Sequence, residues 1–504
     1  MNLPLGDPAY QQLGALERAG CVPARVSATR PYDLRSIRLA IAAGAGDPRC
    51  RGSLLDVLQR RFAPSAADMA RRLRLGGSVT AQGTALKGGD FLPLWNDVRP
   101  KGEGDPPLVV TGHARGSYGN GDVVEAVFDG YVESNSRNDP QVRARQFRRS
   151  TAVIDAGEAY VAVRGLGITL SLGREREAWL GDSTESMWLG ANGPPLDRLA
   201  ASFRSRHFEG HFLFGVVDDV VLTPAQDSIQ SEFGPQRFYR FIAAHMLTWR
   251  PSRMVEWSVG ETALLSRGAG VVDFYYINPF VPYVVVQNDT GRTGDDARDN
   301  LTAFTGIRLH PGRVTLGGEL LIDDIQIDAA DRRTTPDQLG WRFTATAPAP
   351  IKWPATVALT YERINSYTYM RRFYNEVYQY YNEPLGSVLG PDADYAHADA
   401  DLFVTPTVRI AAGLGSWRRG VRRIYERPAV AAVGHANESF PTSFPDEPAE
   451  TALLGDVSAQ LLSVVCPVTL RVDAARITNV NNTASAPALY ARVQLLATYA
   501  FRYP

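Results

Sequence analysis

The stretch ALYARVQLLATYAFRYP, residues 488–504, closes the chain with one of its cleanest alternating patterns. Every second residue of Leu489–Tyr503 is apolar or aromatic, whereas the positions between them include Arg492, Gln494 and Arg502. Successive side chains of a β-strand point to opposite faces, so the pattern predicts a strand with one apolar and one polar face. A chain terminus is usually frayed and polar, so this strand needs a neighbour that holds it in place.

The same period of two recurs along the chain from about residue 73. Apolar residues alternate with polar ones over 124–133, 168–172 and 315–323. A β-sandwich produces the same local pattern, so periodicity alone does not separate a sandwich from a barrel.

The connections between the predicted strands alternate in length, and this alternation favours a barrel. The short links are 118–122, 165–167, 206–210, 250–253 and 310–313. The long links are 86–106, 134–156, 175–197, 223–236, 265–299, 328–339 and 365–397, and a medium turn at 347–354 lies between the last two. An up-and-down outer-membrane barrel has short periplasmic turns at one end and long external loops at the other.

We therefore predict an all-β membrane protein with an up-and-down antiparallel outer-membrane β-barrel of about 18 strands. The count includes strands after residue 398, with a tight turn near Cys466 and Pro467. An even number brings the C-terminus back to the end where the barrel began. The last strand must then pair with the first, because an open sheet edge in lipid leaves backbone groups unsatisfied.

The first seventy-odd residues follow helical rather than strand periodicity, which divides the chain into residues 1–72 and residues 73–504. One helix is predicted over 34–43 with Asp33 as its cap, a second over 54–62 after Ser53, and a third over 66–75. These short helices are too small for a core of their own, so they predict a segment that leans on the barrel. Both chain ends and the helices are expected in the periplasm.

Composition excludes several other classes of protein. The net charge of −1 gives no overall field that would favour nucleic acid. The sequence lacks the common hydrolase, metalloprotease and nucleotide-binding motifs, and its three cysteines form no metal-binding cluster. We therefore expect no catalytic residue, no metal and no cofactor. Cys21 and Cys50 are compatible either with a disulfide or with two unpaired thiols.

Pairs of adjacent acidic residues, such as Asp323–Asp324, are better explained by the barrel than by an enzyme. Neighbouring residues on a strand point to opposite faces, so the two carboxylates cannot share one site without a bulge. Polar residues on the inner face are expected to line the lumen and to pair with arginines. The predicted polar lumen residues are Glu319, Asp323, Arg492 and Arg502.

The segment INSYTYMRRFYNEVYQYYNEPLG, residues 364–386, is rich in tyrosine and arginine. Aromatic rings stack on sugar rings, and arginine pairs with carboxylates through a bidentate fork. The composition suits a site for an acidic polysaccharide, although an aromatic girdle at the membrane interface and ordinary loop packing explain it as well. The candidate carbohydrate-binding residues are Trp179, Trp188, Tyr367, Tyr369, Arg371, Arg372, Tyr374, Tyr378, Tyr380 and Tyr381.

Several stretches, taken in order along nearly the whole chain, resemble the capsule-assembly Wzi family of outer-membrane proteins. They are SATRPYDLRSIRLAIA (27–42), LGREREAWLGDSTESMWLGANGPPLDRL (172–199), VGETALLSRGAGVVDFYYINPFVPY (259–283), DNLTAFTGIRLHPGRVTLGGELLIDDIQ (299–326) and GPDAD (390–394). The chain departs from the family where Trp179 is followed by Leu180, Gly181 and Asp182 instead of Gly-Pro-Gly. It departs again at Ile277, where the family has leucine.

The resemblance implies an eighteen-stranded barrel with a periplasmic helical bundle. It also implies a lectin-like, non-enzymatic role in holding a capsular or related polysaccharide at the cell surface. The expected partners are therefore a surface polysaccharide and outer-membrane lipids, with the protein acting as a monomer. Two alternatives remain open: a porin-like channel for small or anionic solutes, and an outer-membrane hydrolase.

Overall fold

The computed structural model describes most of the chain. It covers residues 2–22, 26–45, 53–63, 73–87, 108–119, 123–134, 152–180, 186–222, 236–268, 274–287, 299–325, 336–349, 354–371, 374–381, 383–424 and 444–503.

Eighteen antiparallel strands, each paired with its neighbours along the chain, form one sheet that closes on itself. They are β1 Leu73–Lys87, β2 Leu108–Gly119, β3 Val124–Glu133, β4 Val153–Gly165, β5 Ile168–Glu175, β6 Leu196–Arg204, β7 Phe208–Val216, β8 Gln236–Ser252, β9 Val255–Arg267, β10 Asn300–Leu309, β11 Thr315–Asp324, β12 Gln338–Pro348, β13 Ala355–Ile364, β14 Ala393–Thr405, β15 Val408–Arg419, β16 Glu450–Leu461, β17 Val468–Thr478 and β18 Ala488–Tyr503. The short strand Val220–Leu222 extends the sheet beside β8.

The barrel is closed by pairing between the last strand, β18, and the first strand, β1, as predicted for the C-terminal strand. β18 pairs with β17 on one side and with β1 on the other, in a register that runs from Leu75 opposite Tyr503 to Lys87 opposite Ala491. Closure leaves neither of these strands with an open edge in lipid. The predicted barrel, its strand number and the pairing of the last strand with the first are confirmed.

The two faces of the strands divide as the alternation predicts. On β18, Leu489 and Tyr499 are exposed on the outer face, whereas Arg492 is completely buried in the lumen. On β3, the Phe128 side chain is exposed on the outer face and Glu125 is buried inside. The outer face is therefore apolar and suited to lipid, while the inner face carries the charged groups.

The links also alternate as predicted, which gives the barrel a short-turn end and a long-loop end. Residues 166–167 and 253–254 are examples of the short turns, and 268–299 and 365–392 are examples of the long loops. The turn containing Cys466 is present but is longer than a tight turn, since β16 ends at Leu461 and β17 begins at Val468.

Three helices lie at the short-turn end: α1 Ala9–Arg18, α2 Leu34–Ala45 and α3 Ser53–Phe62. Their apolar faces share one buried cluster with Phe403 near the end of β14 and with Leu462 just after β16. The Gln12 side chain donates a hydrogen bond to the Pro406 carbonyl at 2.8 Å. The helices thus lean on the barrel, while the division of the chain at residue 72 stays a prediction.

The helix predictions were correct in two places and wrong in one. Asp33 caps α2 as expected, accepting the Ser36 backbone N–H at 2.9 Å. The third helix is wrong where it can be checked, because Leu73–Leu75 already belongs to β1, and residues 66–72 lie outside the described chain. α1 was not predicted, although Asp7, one residue before its N-cap Pro8, accepts the Ala9 N–H at 2.8 Å.

Shorter elements complete the described chain. The remaining strands are Thr29–Arg30, Ala178–Trp179, Gln379–Tyr380 and Glu383–Pro384, and the remaining helices are α4 Tyr283–Gln287 and the 3₁₀ turns Phe274–Ile277, Tyr374–Glu376 and Val480–Asn482. None of the helices in the described ranges has the length and apolarity needed to span a bilayer. Cys21 is disulfide-bonded, Cys466 is free, and Cys50 lies outside the described residues.

Candidate functional site

The described parts of two long loops, 176–195 and 365–392, fold into the barrel lumen and pack against each other; we call them the inner loop block. Trp188 stacks on Phe304 of the barrel wall, with ring centroids 5.3 Å apart, and meets Trp179 edge to face at the same distance. Tyr369 stacks on Tyr378 at 5.7 Å. All five rings belong to one buried cluster, so these aromatic faces are occupied by protein.

Hydrogen bonds from the aromatic side chains fix the two loops to each other and to the wall. The Tyr378 hydroxyl donates to the Trp188 carbonyl at 2.8 Å, and the Tyr369 hydroxyl donates to the Met187 carbonyl. The Trp188 indole N–H donates to Thr262 Oγ1 on β9 at 3.2 Å. Burial raises the pKa of both tyrosine hydroxyls, which keeps them protonated as donors.

Arg371 clamps the second loop to three strands of the wall. Its guanidinium donates to Asp323 Oδ1 at 2.8 Å, to Gln338 Oε1 at 2.8 Å and to Asn300 Oδ1 at 2.6 Å. Asp323 Oδ2 also accepts the Tyr369 backbone N–H at 2.7 Å. Because its guanidinium binds acceptors on three neighbouring strands, Arg371 fixes the position of the loop 365–392 against the wall.

The N-terminal segment enters the lumen from the short-turn end and meets the inner loop block. Thr29 and Arg30 pair with Trp179 and Ala178 as a two-stranded sheet, and the Leu180 N–H donates to the Ala28 carbonyl at 2.8 Å. Protein from both ends of the barrel therefore meets inside the lumen.

The predicted carbohydrate-binding residues fall into two groups. Six are buried, with at most 4% of each residue exposed: Trp179, Trp188, Tyr367, Tyr369, Tyr378 and Tyr380. Three remain partly exposed: Arg371, Tyr374 and Tyr381. Arg372 lies outside the described residues. The structure thus brings most of the predicted carbohydrate-binding residues together, but their side chains pack against protein inside the inner loop block.

The predicted lumen residues lie in ion pairs along the inner wall. Glu319 is 3.7 Å from Arg342 on the adjacent strand β12, and Asp323 pairs with Arg371. Arg492 Nε donates to Asp473 Oδ2 at 2.8 Å. The Arg502 side chain lies outside the described residues.

A polar chamber of about 660 Å³ remains inside the lumen between α1 and the inner wall. Threonine, serine and glutamine side chains line it together with charged groups. Among these, Asp401 is shared by Arg409 of β15 and Arg18 of α1. In the described part of the chain, no cluster of three or more potential ligands could hold a metal ion.

Sequence reasoning missed a basic feature at the long-loop end, Arg418–Arg423, which we call the arginine corner. Arg422 lies over the Tyr367 ring at 5.3 Å and donates Nε–H to Asp446 Oδ2 at 2.9 Å. Arg418 binds Asp394 through Nε at 2.9 Å while 45% of its side chain stays exposed. The signal was in the sequence WRRGVRR, where four arginines precede a long link.

Asp392 joins the arginine corner to the inner loop block. Its carboxylate accepts the Ser366 hydroxyl at 2.9 Å and the Asp446 backbone N–H at 3.0 Å, and its carbonyl accepts the Gly420 N–H at 2.8 Å. Burial raises the pKa of Asp392 to about 6, and the neighbouring Asp446 carboxylate adds to the rise. Only glycine fits at 420, because a Cβ there would lie 1.9 Å from Asp392 Oδ2.

A closed antiparallel barrel with an apolar outer face, a charged inner face and a plugged lumen defines an outer-membrane β-barrel protein. Over 98% of its length the chain is similar to a solved structure described as Wzi, a carbohydrate-binding β-barrel involved in group 1 capsule assembly in Escherichia coli. The TM-score is 0.63, the sequence identity is 13%, and 99% of the Wzi chain is covered. The Wzi likeness seen in the sequence is thus confirmed at the level of fold.

Other matches are looser. OprD from Pseudomonas aeruginosa covers 86% of this chain at a TM-score of 0.47 and 10% identity, with 95% of its own chain covered. OccK3 from the same organism covers 87% of this chain at a TM-score of 0.47 and 10% sequence identity, and 98% of the OccK3 chain is covered. No protein-family model and no curated protein matches the sequence.

Proposed function

We propose that this outer-membrane barrel binds an exported acidic polysaccharide at its long-loop end and holds it at the cell surface without catalysis. In this arrangement the long loops face the exterior, and both chain ends with helices α1–α3 lie in the periplasm. The protein acts as a monomer embedded in outer-membrane lipids.

One observation carries the proposal: the lumen is filled where the inner loop block meets the N-terminal segment. Leu180 and Ala28 are in backbone contact there, and Trp188 is wholly buried beside them. A barrel packed in this way offers its outer loops as a rigid surface. The fold shared with Wzi suggests the same class of ligand, a carbohydrate.

The groups able to touch a polymer are the ones that stay partly exposed. Tyr374 and Tyr381 offer aromatic faces for sugar rings, and Arg418 and Arg422 offer guanidinium groups for uronate-type carboxylates. The buried members of the predicted set then act by holding the loops in position. Pre-organisation of this kind lowers the entropy cost of binding.

Pull-down with the native surface polymer tests the proposal and the site together. Two double variants, Tyr374→Ala/Tyr381→Ala and Arg418→Ala/Arg422→Ala, are expected to retain a folded barrel and to lose most of the bound polymer. The matched controls are Tyr118→Ala and Arg206→Ala, which change exposed residues at the short-turn end and are expected to bind normally.

The possible outcomes test polysaccharide binding separately from the assignment of the four contact residues. Normal binding by both double variants would show that these four residues do not contact the polymer. The proposed function would still stand. Failure of the unmodified protein to bind would overturn the function itself, and release of shortened polymer would contradict a non-catalytic role.

The polar chamber favours a second candidate, a porin-like channel. Its charged and hydroxyl-bearing lining suits small polar solutes. Planar-bilayer recordings distinguish the two functions: we expect a silent barrel, whereas a steady open conductance would support the channel.

A further inference from the structure

The segment 274–287, which we call the strap, packs against the outer wall of the barrel. Its residues Tyr276, Tyr283 and Val286 are buried in one apolar cluster with wall residues from three strands. Those wall residues are Phe212, Phe214, Phe241, Ala243, Ala263 and Leu265.

The wall residues under the strap belong to the outward face. On β8, Arg240 and Ile242 point into the lumen, where Arg240 donates to the Gln379 carbonyl and Ile242 joins the cluster around Trp188. Leu247 and Trp249 on the same strand are exposed on the outer face. Phe241 and Ala243 share that outer face by alternation and are nevertheless buried. The strap is what covers them.

The strap also covers two polar groups that otherwise face lipid. Glu261 on β9 lies opposite His245 on β8, both on the outward face. Glu261 Oε2 accepts the backbone N–H of Tyr283 at 2.7 Å and of Val284 at 3.4 Å. The His245 ring lies 4.3 Å from the Tyr283 ring. Charged side chains on the lipid face of a barrel are destabilising. The strap gives Glu261 hydrogen-bond donors in place of lipid.

The depth of the contact places it within the membrane. Trp249 and Trp257 face each other near the short-turn end, where aromatic girdles lie. His245 and Glu261 are roughly 13 Å farther along the strands, at about 3.3 Å per residue. With a strand tilt of about 40° this is roughly 10 Å above the girdle, inside an apolar band about 25 Å tall.

The other face of the strap is exposed and apolar. Phe280 is 89% exposed, Phe274 is 78% exposed and Val285 is 57% exposed. These side chains continue the apolar outer surface formed by exposed wall residues such as Leu247. We propose that the strap is inserted into the hydrocarbon layer beside the barrel, with this face in contact with lipid acyl chains. The proposal depends on the membrane placement and not on polysaccharide binding.

Site-directed spin labelling tests the insertion. In a Cys466→Ser background, nitroxide labels at Phe280→Cys and Val285→Cys are compared in dioleoylphosphatidylcholine vesicles. Val493→Cys on the outward face of β18 serves as the lipid reference, and Ala484→Cys in the exposed link 479–487 as the water reference. Collision with oxygen, relative to collision with a water-soluble nickel chelate, is expected to match Val493 and to exceed Ala484 severalfold.

Two results would overturn the proposal. A ratio at both strap sites equal to that at Ala484 would place the strap in water. Protection from both oxygen and the nickel chelate would mean that protein, such as a second copy of the chain, covers it. Two separate sites keep the test valid if one variant fails to fold, as checked by the heat-dependent gel mobility of folded barrels.

Discussion

Arg492 is fully buried in the lumen and shares Asp473 with Arg471, whose Nε donates to Asp473 Oδ1 at 2.7 Å. The strand alternation predicted that Arg492 would face inward. It did not identify Asp473 as the partner, because strand register is set by pairing between β17 and β18. A buried charge in such a network is tolerated only while its partners remain.

Removing Asp473 is therefore expected to cost more than removing an outward residue of the same strand. Asp473→Ala leaves two guanidinium groups without their shared carboxylate, and the loss should be about 3–5 kcal/mol of unfolding free energy. Urea unfolding in detergent micelles measures it, with Val472→Ala as the control on the lipid face. Equal midpoints for the two variants would contradict a stabilising network.

Asp392 makes the loop junction pH-dependent. Its folded pKa of about 6 lies above the roughly 3.9 expected for an unfolded aspartate, so the fold favours the protonated form. Its contribution to stability is therefore full below about pH 4 and is lost as the pH rises through 6. Loop protection from protease should fall between pH 4 and 7 in the unmodified protein and stay nearly constant in Asp392→Asn. A similar pH dependence in that variant would assign the effect to another group.

At the scale of elements, Trp188 anchors the loop 176–195 to the barrel wall. The residue is wholly buried, stacks on Phe304 and binds Thr262. Trp188→Ala should cost about 3–5 kcal/mol, as for other buried aromatic residues replaced by alanine. Because the loop helps to fill the lumen, we also expect measurable bilayer conductance in this variant.

The exposed Trp249 provides the matched control for this prediction. Trp249→Ala removes an indole of the same size from the lipid face and should leave the lumen closed. A Trp188→Ala barrel that stays silent and as stable as Trp249→Ala would show that the loop is held by other contacts.

Sequence reasoning at this scale succeeded for strands and failed for loops. The 315–323 pattern predicted β11 because one face of that strand meets lipid and the other meets the charged lumen. The 365–392 loop has no such period. Its tyrosines could equally stack on a sugar or pack inside, and that choice depends on walls contributed by distant strands such as β9 and β10.

At the scale of the whole molecule, stability depends on closure between β18 and β1. Leu495 pairs with Gly83 on one side and with Leu470 on the other. Leu495→Pro removes a backbone N–H and introduces a ring into the middle of the sheet. We expect loss of the folded, heat-modifiable form on gels, whereas Leu495→Ala should retain it. A folded proline variant would mean that closure tolerates a break at this register.

The sequence alone determined the barrel, its strand number, its closure and the polar character of its lumen. These features follow from local alternation and link length, which are imposed by lipid on one side of each strand and by a polar interior on the other. Only the tertiary structure decided that Trp179, Trp188 and most tyrosines of 364–386 are buried, and that the strap covers Glu261. Those outcomes depend on which surfaces meet after the sheet closes, and residues hundreds of positions apart contribute them.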